Sequence, residues 1–175
     1  MAGSSGDKGV ERELDRLRTD RAELVRSFEE FKRFTGQINA LRMCRAEPDI
    51  WDGMIDLGSS ILPVTHYKLL LREEGRAGYL VRRETRQNFP DAQAAHVPDE
   101  LIEWGLKNRQ VSVVPVEEEA HREWGLNSVV LVPLIGKSEE LGVLVLWIPL
   151  VEGDLDYLAL EMLTTLGREA AVDLE

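Results

Sequence analysis

The stretch Leu131–Trp147, "LVPLIGKSEELGVLVLW", decides the fold. It belongs to two nearly continuous apolar runs, Ser128 to Leu134 and Leu141 to Ile148, separated by the polar Gly136-Lys137-Ser138-Glu139-Glu140. Apolar runs without polar alternation read as strands covered on both faces, and the short glycine-led break turns the chain between them. The pair is predicted to be the middle of a sheet.

Upstream, "THYKLLLREEGRAGYLVRRE" alternates with a period of two: Tyr67, Leu69 and Leu71 against His66, Lys68 and Arg72, then Tyr79 and Val81 beyond a turn at Glu74-Gly75-Arg76. That pattern is a hairpin. A polar loop from Thr85 to Val97 leads to "PDELIEWGLKN", a short helix with Pro98 at its start, Asp99 and Glu100 at its positive end, and Leu101 and Trp104 on an apolar side. "VSVVPV", Val111 to Val116, is β-branched, and Pro115 assigns it to a sheet edge. After the acidic run Glu117-Glu118-Glu119 and the central hairpin, Leu155, Leu158, Met162, Leu163 and Leu166 mark a closing helix. Ahead of the sheet, Ile50, Met54, Leu57 and Ile61 are spaced as a helix that Pro63 ends. The order is α+β on an antiparallel sheet.

The amino-terminal part is different. Val10, Leu14, Leu17, Leu24, Phe28, Phe31 and Ile38 follow a four-three alternation, with Arg21 and Thr35 at the two remaining seam positions and mixed charges between. This is a heptad register, expected to run from residue 10 to 46 as a dimerising helix; Leu14, Leu17, Leu24, Phe28, Phe31 and Ile38 are the expected homodimer interface. An amphipathic helix lying on its own domain would use the same spacing. Residues 1–9 read as disordered or tag-derived, and 48–175 as the globular domain.

Composition narrows the function. A formal charge of -11 over 175 residues disfavours nucleic acid and anionic membranes as partners. Cys44, the only cysteine, excludes an intrachain disulfide and a cysteine-rich zinc site, and fits a reducing cytoplasm. No stretch approaches the ~20 apolar residues of a membrane span. His66, His96 and His121 each lack a second ligand at metal spacing. No nucleophile elbow, phosphate loop or zinc-protease helix occurs, so no catalytic residue, metal or cofactor is expected. The acid pairs Glu73-Glu74 and Glu139-Glu140 read as solvated turns.

With these residues on the page, the chain resembles a GAF domain, the sensory module related to PAS folds. The resemblance rests on "LIEWGLKNRQVSVVPV", on "WGLNSVVLVPLIGKSEELGVLVLW" and on the closing helix, and covers roughly Asp49 to Val172. It implies a central antiparallel sheet with terminal helices on one face and a ligand cavity on the other. Gly142 and Pro133 have physical reasons in that signature: close backbone approach at a central strand, and the end of strand pairing. Departures from the family are equally informative. Cys44 lies far from the pocket where bilin-binding members carry a cysteine, the Asn-Lys, Phe, Asp-Glu set of cyclic-nucleotide members is absent, and methionine sulfoxide reduction needs several cysteines.

The resemblance implies a cavity wall of Trp104, Ser128, Val130 and Trp147, with Lys68 and Arg72 at its polar end. Those two basic residues sit in a strand pair rich in arginine inside an acidic protein, which suits a small anionic ligand; charge that defends an edge hairpin is the plainer use. The expected function is a cytoplasmic regulatory module that relays ligand or partner binding through a dimeric helix to an output domain or partner protein. A ligand-free scaffold that dimerises and docks a protein is the alternative.

Overall fold

The computed structural model describes residues 5–73, 78–85, 96–116 and 125–174. Helices α1 (Ser5–Leu41) and α2 (Glu47–Ile61) precede strands β1 (His66–Arg72) and β2 (Tyr79–Glu84); α3 (Asp99–Asn108), β3 (Ser112–Pro115), β4 (Ser128–Ile135) and β5 (Glu140–Ile148) follow, and α4 (Tyr157–Leu174) closes the chain after a 3-10 turn. The turn expected at Glu74-Gly75-Arg76, most of the 85–97 loop, the acidic run after β3 and His121 lie outside the described residues.

The five strands order β2-β1-β5-β4-β3, all paired antiparallel. β5 is the central strand. Seven of its nine residues are buried, as an apolar run with both faces covered requires. β3 is an edge, and Pro115 is its last residue.

Register assigns the faces, because directly opposed residues of an antiparallel pair share one. His66, Lys68 and Leu70 oppose Trp147, Val145 and Val143, and Val129 and Leu131 oppose Trp147 and Val145. That front face carries α3, whose Ile102 and Leu106 join Leu70, Leu131, Val143, Val145 and Trp147 in one cluster. Gly105 brings the helix down: a Cβ there would stand 3.1 Å from Leu131 Cδ1. The back face carries Leu69, Val130, Val132, Leu144 and Leu146 and is covered by α2 and α4. A Cβ added to Gly58 of α2 would stand 3.8 Å from Leu146 Cδ1, and one added to Gly167 of α4 would stand 2.6 Å from the Pro133 carbonyl oxygen.

Two compact units divide the chain, residues 1–36 and 37–175. In the first, the helix begins at Ser5, so the segment expected to precede it supplies its first turn. Leu14, Leu17, Leu24, Phe28 and Phe31 are all exposed there. Ile38, the last expected seam position, belongs to the second unit and is 5% exposed. Its surface is already covered within one chain, so it leaves the seam. The end of α1 is also pinned to α4: Arg42 Nε donates to Glu169 Oε2 at 3.0 Å and Nη2 donates to the same oxygen. Leu163 and Leu166 of α4 are wholly buried, which removes them from any interface between copies.

Candidate functional site

The front face near the end of β1 gathers the polar chemistry. Arg72 Nη2 donates to Glu103 Oε1 of α3 at 3.4 Å, and Nη1 stands 3.8 Å from Glu140 Oε2 of β5. Tyr79, opposite Arg72 in β2, donates its hydroxyl to the same Glu103 oxygen at 2.5 Å. Burial, then the hydrogen bond to Glu103 and its charge, push the Tyr79 phenol well above its ordinary range, so it stays protonated and a donor. Three strands and a helix are tied at one point.

Beside this knot opens a cleft of about 380 Å³, lined by Arg72, Arg109, Gly136, Lys137, Ser138, Glu139 and Glu140. Arg109 reaches it from the C-cap of α3, where its φ of 56° is left-handed. A bulky residue in that region costs free energy and is held there by its surroundings. Lys137 and Ser138 come from the turn between β4 and β5. The cleft thus sets three cations against two carboxylates, at a size that admits a small metabolite.

The expected cavity residues do not assemble as one wall. Trp147 and Lys68 share the front face with Arg72; the Lys68 side chain is 18% exposed and pairs loosely with Glu84 at 4.0 Å. Ser128 and Val130 oppose Ile148 and Leu146 and therefore point to the back face, under the helices. Trp104 is 47% exposed, on the side of α3 away from the buried Ile102, Gly105 and Leu106. These three are corrected out of the ligand wall: for Ser128 and Val130 the reason is strand register, for Trp104 helix phase. Glu140, expected in a purely solvated turn, instead faces Arg72. Arg109 and Lys137 were not singled out from sequence. The one local sign is Asn108-Arg109 closing a helix, a place where left-handed caps occur.

The buried Ser128 hydroxyl has no hydrogen-bond partner among the described residues. An orphaned hydroxyl disfavours the folded state, so Ser128→Ala is expected to raise unfolding free energy by about 1 kcal/mol in urea titration. A loss of stability would show that the hydroxyl is hydrogen-bonded in solution.

Among the described residues no cluster of three His, Cys, Asp or Glu side chains is placed to hold a metal ion. None of the described helices is long and apolar enough to cross a membrane.

A family model for the GAF domain matches residues 47–175. The comparison with curated proteins returns no match. Among solved structures, the chain is similar to the GAF domain of a two-component sensor histidine kinase from Bacillus halodurans, at 19% identity and a TM-score of 0.55, covering 74% of this chain and 94% of that one. The GAF domain of an Acinetobacter phosphoenolpyruvate-protein phosphotransferase matches at 17% identity and a TM-score of 0.62, over 83% and 92% of the two chains. The chromophore-binding domain of a Stigmatella aurantiaca bacteriophytochrome matches at 13% identity and a TM-score of 0.62, over 85% of this chain and 60% of that one. At such identities the likeness is one of fold.

Proposed function

The chain belongs to the GAF domain family, whose members are regulatory sensory modules of signalling proteins, and from that premise we propose that it binds a small anion and relays the binding through a dimeric α1. The observation that carries the ligand is the cleft of about 380 Å³ with Arg72, Arg109 and Lys137 on its wall, in a protein whose net charge is -11. Local positive charge in an acidic molecule has to be held in place by packing, and here it is, by the Glu103 and Glu140 contacts of Arg72 and by the cap geometry of Arg109. Arg109 and Lys137 stand on the same wall as Arg72, and together the three would meet a carboxylate or phosphate ligand. The route outward is population shift: an anion bridging α3 to the β4–β5 turn favours one packing of the helices over another. The dimer is supported by the exposed leucines and phenylalanines of α1, which a second copy would cover.

Thermal unfolding in the presence of small dicarboxylates and phosphate esters tests this. At a hundredfold excess over Kd a ligand contributes about 2.7 kcal/mol, a rise in Tm of roughly 5–10 °C. The rise is expected in the wild type and absent in Arg109→Asn with Lys137→Gln, since asparagine tolerates the left-handed cap while removing the charge. An unchanged rise in the double variant would remove the cleft from the mechanism.

A scaffold without a small ligand is the second reading. It is favoured by the packing of the front face itself, where Leu131, Val143 and Val145 are wholly buried and Trp147, Ile102 and Leu106 are 1% exposed. A native mass that is twice the denatured chain mass for protein purified directly from cells, with no thermal response to any anion, would favour it.

A further inference from the structure

The cleft at the β4–β5 turn has a wall of two signs. Among the described residues that line it none is aliphatic or aromatic: Arg72, Arg109 and Lys137 are set with Glu139, Glu140 and the Ser138 hydroxyl. A ring system or an acyl chain has nothing to pack against there, so hydrophobic burial contributes little and charge must hold the ligand. The two glutamates then select among anions. Glu139 is exposed on the turn and Glu140 is half-buried at the start of β5. An anion seated beside Arg109 and Lys137 is seated beside these carboxylates as well, and like charges in one cleft repel. An ammonium next to the anionic group turns both repulsions into attractions. Glu140 is able to receive it: Arg72 Nη1 stands 3.8 Å from Glu140 Oε2, a Coulombic contact beyond hydrogen-bond range, and a carboxylate oxygen in that position accepts from a proton donor on the ligand. The sum of charge points the same way. Three cations against two carboxylates leave the wall one positive charge, in a molecule of -11 that offers no distant surplus to neutralise a dianion. Succinate would overshoot that single charge, whereas aspartate, with the same two carboxylates and an ammonium, matches it.

We propose that the cleft takes an amino dicarboxylate, the class of aspartate and glutamate, with Arg72, Arg109 and Lys137 meeting the carboxylates and Glu139 and Glu140 meeting the ammonium. The inference rests on the ligand reading above, and it makes Glu139 and Glu140 the specificity-determining residues. Isothermal titration calorimetry of the full chain compares aspartate with succinate and glutamate with glutarate, pairs that differ by the ammonium alone. In wild type the amino member of the tighter pair is expected to bind about tenfold more strongly than its counterpart, the contribution of one charge-assisted hydrogen bond. Glu139→Gln with Glu140→Gln removes both selecting charges and is expected to bring the two within about threefold, with a thermal transition in ligand-free buffer showing that the variant folds. Glu139→Gln alone, at an exposed turn position, is the second variant and is expected to narrow the preference in the same direction. Succinate or glutarate binding as tightly as its amino counterpart, with both lost in Arg109→Asn with Lys137→Gln, overturns this inference and leaves the anion reading standing. A thermal response to phosphate esters alone does the same. A preference for the amino member that survives both glutamine variants also overturns it, and no response to any of these ligands removes both readings.

Discussion

Gly142→Val is expected to leave no folded domain. A Cβ at this position would stand 2.0 Å from the Leu70 carbonyl oxygen and 2.8 Å from Leu71 Cα, both backbone atoms of the neighbouring strand. Neither can rotate away as a side-chain tip would. Relief requires β1 to withdraw from β5, the central strand, at the Leu70–Val143 and Leu71–Gly142 pairs, where Leu70, Val143 and Gly142 are buried. The cost should exceed about 4 kcal/mol, a large part of the 5–15 kcal/mol that holds a domain together. Far-UV circular dichroism and urea titration read the result directly. Gly153→Ala is the control, because nothing lies within 4 Å of its added carbon, and it should stay within about 0.5 kcal/mol of wild type. A cooperative transition near the wild-type midpoint in Gly142→Val would show that the strands can part there at little cost.

The second large effect concerns oligomeric state. Leu17 is 55% and Leu24 72% exposed on α1, and burial of each against a second copy contributes about 1.5–3 kcal/mol. Lysine at both positions places four charges in a two-stranded seam, so Leu17→Lys with Leu24→Lys is expected to give a folded monomer by light scattering. The second unit should keep its thermal transition, since these substitutions fall within residues 1–36. Arg21 lies between them in the same register and weakens the seam wherever it is not paired. An unchanged dimer would shift the interface to the globular unit.

Much of the fold was legible because each element announces its period. β5 reads as a continuous apolar run, β1 as an alternation, α4 as a stripe of leucines, and Pro115 marks an edge. What sequence does not carry is how one strand sits against the next. Ile135 pairs with Glu140, but the next pair is Leu134 with Gly142, so Leu141 is an extra residue in β5. Without that bulge, Ser128 would oppose Trp147 and Val130 would oppose Val145, on the front face. One inserted residue turns both to the back. No local pattern in "SEELGV" fixes whether the bulge forms; the contact of Gly142 with β1 does, and that contact is long-range. For Trp104 the reason is different: an aromatic side chain suits a cavity wall, whereas the 102, 105, 106 stripe leaves position 104 on the outer side of α3. The cleft was illegible because Arg72, Arg109 and Lys137 come from a strand, a helix cap and a turn with no shared spacing.

The bridge between Arg42 and Glu169 joins residues 127 positions apart, and it is one of several closures that span most of the globular unit: α2 packs on α4, and β1 pairs with β5. Contacts of such separation pay the entropy of a long loop before they return any stabilisation. On the ribosome, therefore, no early segment of this unit can finish folding by itself. Within this unit the helix after β5 is synthesised after every strand, and until it emerges the back of the sheet, with Val132, Leu144 and Leu146, stays open to water and to other chains. The element that closes this unit is thus the last of its parts to arrive, and until then the nascent unit stays in the state most exposed to misassembly.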